Sequence, residues 1–156
     1  MRVGIGYDVH PFSDDPHRPL VLGGVTIPNA RGLAGHSDAD VVAHAAADAL
    51  LGAAGLGDIG THFPDTDPQW QGADSLRILG GVVALVAAEG WAVGNVDVSV
   101  VVEAPRLAPH RIEMNQKLGA VLGAPVSVKA KRAEGLGAIG RREGIACYAV
   151  ALLEAR

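Results

Sequence analysis

The segment Met1-Arg-Val-Gly-Ile-Gly-Tyr-Asp-Val-His10 begins the chain and determines which side chains lie on each face of its first strand. Alternate side chains of a strand leave on the same face, so Asp8 and His10 point to the same side. A carboxylate and an imidazole that converge there are two of the three protein ligands of an open zinc-type site. We therefore expect a strand over Arg2 to His10 with a metal-binding pair at its end.

The segment His36-Ser-Asp-Ala-Asp-Val-Val-Ala-His44 predicts the start of a helix. Ser37 or Asp38 provides a typical cap, and small apolar residues continue to about Ala54. Gly55 then suits the left-handed position that ends many helices. This helix is the second element that can contribute to the site.

His44 on that helix is the candidate third ligand, which leaves a fourth position for water or a substrate oxygen. Its neighbours are Val and Ala, so we expect Asp48, one turn further on, to orient the ring. In the alternative, His10 is a turn residue and His44 is a packing residue. Residue chemistry alone gives the two interpretations equal weight.

The rest of the chain alternates strands and helices without an internal repeat or linker, which predicts one domain over residues 1–156. The expected elements are a hairpin over 19–28 that turns at Gly23-Gly24, a loop over 57–68, a helix from Asp74 or Ser75 to Gly90, a strand over 94–103, a helix over 109–122, a strand over 125–131, a glycine-rich loop or short helix over 134–144 and a strand over 145–153. This order predicts an α+β fold with a small mixed sheet covered by helices on one face.

The last strand indicates what covers the other face. In residues 94–103 every second residue is Val, from Val96 to Val102, and the opposite face begins polar. Residues 145–153 are apolar on both faces, although the helices can cover only one. We therefore expect a homo-oligomer that buries the second face.

Bulk composition excludes several classes of partner. The formal net charge is −4, and the 13 basic residues form no long run, which argues against nucleic acid and anionic membranes. No apolar run approaches the roughly 20 residues that a membrane span requires. With no leader segment before the first strand, we expect a cytoplasmic protein, in which the one cysteine, Cys147, is an inert core thiol.

Three further segments are candidates for ligand binding. A helix N-terminus suits an anion, assisted by His36 and Ser37, although an ordinary cap explains Asp38 and Asp40. The loop with Gly57-Asp-Ile-Gly60 and Phe63-Pro-Asp-Thr-Asp67 can accept hydrogen bonds from polyol hydroxyls, but composition favours a plain surface loop. The turn Ala104-Pro-Arg-Leu-Ala108 can read a base edge through its backbone, and a plain connector is the simpler interpretation.

A cluster of cations follows the strand that ends near residue 131. Lys129, Lys131 and Arg132 precede a glycine-rich segment and suit a polyphosphate, while Glu134 suits a hard divalent ion that bridges it. The alternative interpretation, in which these residues are simply a solvated basic strand end, has equal weight.

Taken together, these segments resemble the 2-C-methyl-D-erythritol 2,4-cyclodiphosphate synthase family of the non-mevalonate isoprenoid (terpenoid) pathway. The pieces that carry the resemblance follow in order along the chain: Gly6-Tyr-Asp-Val-His10, Leu22-Gly-Gly-Val-Thr-Ile-Pro28, His36-Ser-Asp-Ala-Asp40 with His44, Gly57-Asp-Ile-Gly60, Phe63-Pro-Asp-Thr-Asp-Pro68, Gly94-Asn-Val-Asp97, Ala104-Pro105, Gly140-Arg141 and Glu143-Gly-Ile-Ala-Cys147. No single piece is diagnostic, but their ordered occurrence over the whole length is specific.

The resemblance implies a homotrimer with active sites between subunits. It implies one zinc ion per subunit on Asp8, His10 and His44, and magnesium or manganese on Glu134. The implied substrate is 4-diphosphocytidyl-2-C-methyl-D-erythritol 2-phosphate, whose 2-phosphate attacks the β-phosphorus and releases CMP. This makes the chain a phosphorus–oxygen lyase with catalytic roles for His36 and Arg132.

The resemblance also assigns substrate contacts. The implied contacts are Asp8, His10, His36, Ser37, Asp58, Ile59, Gly60, Phe63, Asp65, Asp67, Ala104, Pro105, Arg106, Leu107, Ala108, Lys131, Arg132, Ala133, Glu134, Ala138 and Arg141. Among them, His36 and Ser37 hold the 2-phosphate, the loop with Asp65 holds the methylerythritol hydroxyls, and Asp58 with Gly60 holds the ribose. The turn at Ala104 to Ala108 takes the cytosine.

Two departures from the family pattern stand out. Lys131 and Arg132 replace two threonines that contact phosphate, and a cation neutralises phosphate with a different geometry from a hydroxyl. Ala138 replaces a phenylalanine near the trimer axis, where the family implies an isoprenoid diphosphate in the central cavity. Arg141, the basic part of that cavity, is present.

Two other functions use the same residues. A zinc-dependent phosphohydrolase would use the three ligands to activate water, but no additional base is placed for it. A non-catalytic trimeric module would bind a nucleotide or an isoprenoid diphosphate without turnover. The reaction products distinguish the three functions.

Overall fold

The sheet that carries the site has four strands in the order β1-β6-β4-β5. The computed structural model describes all residues from Met1 to Arg156. Its strands are β1 (Arg2–Pro11), β2 (Leu20–Leu22), β3 (Val25–Ile27), β4 (Trp91–Val101), β5 (Val126–Lys131) and β6 (Gly144–Ala155). β4 and β5 are parallel, β6 is antiparallel to both β1 and β4, and β2 pairs with β3 as a separate hairpin. The prediction of a mixed sheet is confirmed.

Five α-helices connect the strands: α1 (Val41–Ala54), α2 (Ile59–His62), α3 (Ser75–Ala88), α4 (Arg111–Leu122) and α5 (Gly137–Gly140). One core of Val, Leu, Ile and Ala side chains lies between the sheet and the long helices. The predicted inward face of β4 is confirmed, since Val96, Val98, Val100 and Val102 are all buried.

Two glycines of β1 bring helix α1 unusually close to the sheet. A Cβ atom at Gly6 would lie 1.9 Å from the carbonyl oxygen of Ala45, and one at Gly4 would lie 2.0 Å from that of Ala49. Only a hydrogen atom fits there, so the helix backbone rests directly on the strand. Asp8 and His10 continue the same face of β1. The close approach therefore brings His44 of α1 to them.

Helix α1 begins later than predicted, because its cap is neither Ser37 nor Asp38. Asp40 caps the helix, and its carboxylate accepts hydrogen bonds from the N–H groups of Val42 and Ala43. The same carboxylate accepts from Gly23 at 2.8 Å and Gly24 at 2.7 Å, which ties the hairpin turn to the helix. Gly55 ends the helix in the left-handed conformation, as predicted.

Other boundaries also differ from the predictions. The predicted loop over 57–68 contains α2, capped by Asp58, and a 3-10 turn starts at Pro68. Pro109 lies in a separate 3-10 turn ahead of α4. β4 begins at Trp91, because pairing with β6 continues past an irregularity at Gly94.

The sheet face opposite the helices exposes a patch of large apolar side chains. Its members are Val3, Ile5, Tyr7 and Val9 of β1 with Tyr148 and Val150 of β6, and their exposed fractions run from 45% to 72%. The rings of Tyr7 and Tyr148 stack across the two strands at 4.9 Å. We call these six residues the apolar sheet patch. None of the helices has the length and hydropathy that a membrane span requires.

Candidate metal centre and substrate site

The three predicted ligands form a compact triangle. The Oδ2 atom of Asp8 lies 3.0 Å from Nε2 of His10 and 3.0 Å from Nδ1 of His44. The two ring nitrogens are 3.4 Å apart. A tetrahedral zinc ion with bonds of roughly 2.0–2.1 Å has ligand–ligand edges of about 3.3 Å. The triangle therefore has the size of one face of such a tetrahedron, and the residues present fit the ion.

Local hydrogen bonds and charges prepare the triangle for a cation. Nδ1 of His10 lies 2.8 Å from the carbonyl oxygen of Ala34, and a carbonyl only accepts. Nδ1 therefore carries a proton, and Nε2, which faces Asp8, is the nitrogen available to a cation. Burial raises the pKa of Asp8, but hydrogen bonds and charges from His10 and His44 outweigh burial and bring that pKa to about 2. The carboxylate stays ionised at neutral pH.

The outer nitrogen of His44 meets two hydroxyl groups. Nε2 lies 2.9 Å from Oγ of Ser75 and 3.2 Å from Oγ of Ser37. The prediction that Asp48 orients this ring is wrong, because the Asp48 carboxylate accepts from the N–H of Ile59 at 2.8 Å. Ser75 was missed because it contacts His44 across a gap of 31 residues. The one available signal was that an imidazole in an Ala-rich helix needs a partner.

The triangle forms part of the wall of a cavity of about 410 Å³. Six other predicted site residues line the same cavity: His36, Ser37, Ile59, Gly60, Phe63 and Asp65. The capping segment and the loop after α1 are thus brought to the three predicted ligands, as the family resemblance implies. Such a cavity offers imidazole, hydroxyl and carboxylate groups to a polar ligand.

Two predicted residues of this loop do not line that cavity. Asp58 caps α2, and a hydrogen bond from the Thr61 hydroxyl lowers its pKa. Asp67 caps the 3-10 turn, and its carbonyl oxygen lies 3.2 Å from Nε2 of His36. Trp70, which the sequence analysis did not select, does line the cavity and packs edge-on against Phe63 at 5.0 Å. It forms an apolar wall beside the polar groups.

A second cavity, of about 560 Å³, collects the candidate base-binding turn and the basic strand end. It is lined by residues 102–108 and 130–132. Arg132 donates to Oε1 of Glu103 at 2.9 Å, and the N–H of Ala133 donates to Oε2 at 3.0 Å. No sequence pattern indicated Glu103, whose carboxylate holds Arg132 and the backbone of Ala133 in place through these two bonds.

The last three predicted residues lie in the segment that follows. Glu134 adopts a positive φ of 55° directly after this strand end. Ala138 is in α5, and Arg141 after it pairs with Glu143 at 3.1 Å. Glu134, Ala138 and Arg141 line neither cavity.

The two cavities lie at opposite edges of the sheet and share no residue. Pairing places Asp8, Cys147, Val100 and Ala130 in one row across the four strands. Three strand spacings separate the ends of that row, which is about 14 Å. A single copy of the chain therefore does not bring the metal triangle and the basic strand end together.

Comparison with known proteins gives a consistent result. The sequence profile of the YgbB family matches residues 1–154. A protein of Symbiobacterium thermophilum, named 2-C-methyl-D-erythritol 2,4-cyclodiphosphate synthase, is 58% identical over an alignment of 159 residues that covers 100% of both chains.

Solved structures agree. Bifunctional IspDF from Campylobacter jejuni superposes with a TM-score of 0.94 at 40% identity, and the match covers 99% of this chain but only 42% of that one. A CDP complex of IspF from Plasmodium falciparum gives a TM-score of 0.85 at 35% identity, with 99% and 96% of the two chains covered.

Proposed function

The chain belongs to the YgbB family, and we propose on that basis that it converts 4-diphosphocytidyl-2-C-methyl-D-erythritol 2-phosphate into 2-C-methyl-D-erythritol 2,4-cyclodiphosphate and CMP. The relative that is 58% identical over its full length is named for this cyclic product. The observation that carries the proposal is the triangle of Asp8, His10 and His44 in a cavity that also holds His36 and Ser37.

The reaction is an intramolecular phosphoryl transfer. An oxygen of the 2-phosphate attacks the β-phosphorus, the bond from that phosphorus to the CMP oxygen breaks, and an eight-membered ring closes. Both reacting groups belong to one molecule, so the protein mainly has to hold them in line and neutralise their charge. His36 and Ser37, beside the triangle, hold the 2-phosphate, and His36 stabilises the charge that develops during the transfer.

Each metal has its own set of residues. Asp8, His10 and His44 hold one zinc ion per subunit, and Glu134 holds magnesium or manganese. When bound, these ions supply the positive charge that polarises the diphosphate and assists the departure of CMP. Arg132, kept in place by Glu103 at 2.9 Å, adds a fixed cation to the same diphosphate.

The other residues select the substrate. In the cavity with the triangle, Asp65 and its loop hold the methylerythritol hydroxyls, while Ile59 and Phe63 give apolar contacts. Asp58 and Gly60 hold the ribose. The second cavity takes the cytosine through the backbone of residues 104–108 and the phosphates through Lys131, Arg132 and Ala133.

The complete site forms between subunits of a homotrimer. The opposite positions of the two cavities support this, because one substrate molecule has to touch both. The apolar sheet patch supports it too, since contiguous exposed apolar surface marks an interaction site. Each subunit is one synthase domain over residues 1–156 and works in the cytoplasm. Arg141 provides a cation for an isoprenoid diphosphate in the central cavity.

Product analysis tests the function. Purified protein with zinc, magnesium and substrate is expected to give CMP and the cyclic diphosphate in equal amounts, measured by ³¹P NMR. Inorganic phosphate or a linear diphosphate product would instead identify a phosphohydrolase. Tight binding of CMP without turnover would identify a binding module.

Substitution of two ligands separates the metals. We expect His44→Ala to lose zinc and most of the rate while the oligomer persists, since a three-ligand site that loses one imidazole binds the ion weakly. Full zinc content by elemental analysis would contradict that assignment. Glu134→Gln should keep zinc and need more magnesium, and an unchanged magnesium dependence would contradict its role.

A further inference from the structure

A line of polar groups runs from the metal triangle back into the protein through His44. Ser75, the first residue of α3, is only 1% exposed, and its hydroxyl lies 2.9 Å from Nε2 of His44. Behind it, Asp38 contacts the same hydroxyl and accepts from the Ser75 N–H at 3.1 Å. Neither Ser75 nor Asp38 is among the predicted metal ligands or substrate contacts.

We propose that Ser75, held by Asp38, is a positioning residue that keeps the His44 proton on Nε2 and so presents the Nδ1 lone pair to the metal. The proposal rests on the proposed function only in taking zinc as the probe. It adds to the family's three ligands two residues that touch neither metal nor substrate.

The direction of each hydrogen bond follows from donor chemistry. A carboxylate accepts only, so the Ser75 hydroxyl donates its proton to Oδ1 of Asp38. The lone pairs of the hydroxyl then face His44, and Nε2 has to be the donor across 2.9 Å. A neutral imidazole carries one proton, so with a metal between Nδ1 and Asp8, which are 3.0 Å apart, Nδ1 is the nitrogen left to bind the ion.

Asp38 is itself fixed in place. Its Oδ1 accepts from the N–H of Asp40 at 3.1 Å, so the carboxylate bridges the segment before α1 and the start of α3. Rotation of its oxygens away from Ser75 would break these bonds. The ring of His44 therefore has a rigid acceptor on its outer side, the arrangement that raises the basicity of a metal-bound imidazole.

Ser37 is a weaker acceptor for the same nitrogen. Its hydroxyl is 3.2 Å from Nε2 of His44 and already accepts from the N–H of Ala39. No carboxylate takes up its own proton, for which Oγ of Ser75, 3.3 Å away, is the neighbouring acceptor. Ser75 is for this reason the residue to change.

Zinc affinity, measured by competition with a chromophoric chelator and without substrate, tests the proposal. We expect Ser75→Ala and Asp38→Asn to weaken zinc binding about 10- to 100-fold, as loss of such partners does at other sites. Ser75→Thr keeps the hydroxyl and should restore most of the affinity. An affinity of Ser75→Ala equal to that of the wild type would overturn the proposal.

A matched control separates positioning from helix stability. Asp74 caps the same helix through the N–H of Leu76 and is one residue from Ser75. Asp74→Ala should lower the melting temperature and leave zinc affinity unchanged. If it weakens zinc binding as much as Ser75→Ala does, Ser75 acts only through the helix, and the proposal fails.

Long-range ¹H–¹⁵N spectra of the zinc-loaded protein give an independent readout. In the wild type, His44 should show metal-bound Nδ1 and a slowly exchanging proton on Nε2. In Ser75→Ala, with the remaining spectrum intact, that proton should exchange rapidly. A protected Nε2 proton in the variant would overturn the proposal. Neither measurement involves turnover, so failure here is distinguishable from failure to cyclise the substrate.

Discussion

One ring nitrogen of His10, Nδ1, is already engaged in a hydrogen bond and is not available to a metal. The Ala34 carbonyl takes the proton of Nδ1, and Nε2 faces the Asp8 carboxylate at 3.0 Å. Without a metal, the most favourable occupant of that gap is a proton. Burial lowers the pKa of His10, but the hydrogen bond and charge of Asp8 outweigh burial, so the pKa lies above its usual value. A metal has to displace this proton.

Zinc affinity should therefore depend on pH in a defined direction. The pKa of Asp8 is about 2, so this ligand stays ionised, whereas the pKa of His10 is raised and its proton competes with a metal. As pH falls below the raised pKa of His10, we expect the affinity to drop about tenfold per unit, because one proton competes for Nε2. Titrations between about pH 5 and 8 measure this slope. An affinity that is constant over the range would contradict it.

The ligands themselves were predictable at this scale, but their supports were not. Asp8 and His10 are two apart in a strand, and that spacing alone places them together. Ser75 and Glu103 reach their partners across 31 and 29 residues. Such contacts depend on how helices and strands pack, which no local pattern encodes. The sequence could show only that His44 needed a partner, and it indicated the wrong one, Asp48.

At the scale of elements, the distance between α1 and β1 controls the site. Gly4 and Gly6 alternate with Ile5 and Tyr7, so the face of β1 toward α1 has no side chain between Arg2 and Asp8. The helix backbone fills that space, with the Ala45 carbonyl where a Cβ of Gly6 would be. A strand with side chains at both positions would hold α1 further away, and His44 with it.

We expect Gly6→Ala to destabilise the protein and to weaken the metal site. The added methyl group would lie 1.9 Å from a backbone oxygen, so α1 has to move. Overpacking of this kind costs about 1–3 kcal/mol or more, measured by urea unfolding. Zinc affinity should fall in the same variant. Gly52→Ala is the matched control, because the nearest atom to its Cβ is 3.8 Å away and Ala favours the helix. Equal stability of the two variants would contradict the close-packing argument.

Most elements were predictable because their signals are local, and the exceptions have identifiable causes. The hairpin at Gly23-Gly24 and the end of α1 at Gly55 follow from glycine conformations, and all three φ values are positive. The start of α1 was misplaced because Asp40 serves the hairpin and the helix at once. Asp40 and not Ser37 is the cap, because Asp40 also accepts hydrogen bonds from the hairpin turn, which is distant in sequence.

At the scale of the whole molecule, sheet topology separates the two cavities. β1 and β5 form the two edges, so ligands on one and cations on the other cannot meet within a chain. A copy whose β5 edge approaches the β1 edge of its neighbour joins the two halves. A closed ring of such copies repeats this contact head to tail, which gives as many sites as subunits.

Mixing two inactive variants tests whether each site is shared between neighbouring subunits. One chain carries His44→Ala and the other carries Arg132→Ala with Glu134→Ala, so each lacks one half of the site. In co-assembled trimers, a site is intact when its triangle of Asp8, His10 and His44 comes from the second chain and its Arg132 and Glu134 come from the first. Random assembly makes this true of about a quarter of the sites, so we expect about a quarter of the wild-type rate.

The control mixes two chains with lesions in the same half, Asp8→Ala and His44→Ala. Every site in that mixture has a damaged triangle, because both residues belong to the β1 side. No activity should return, although the chains assemble equally well. Recovery in the first mixture and not in the second can arise only if neighbouring subunits share each site. If the first mixture stays inactive while tagged chains co-purify as mixed trimers, both halves must act within one chain, and the 14 Å between the sheet edges would have to close by movement of the strand end at Arg132.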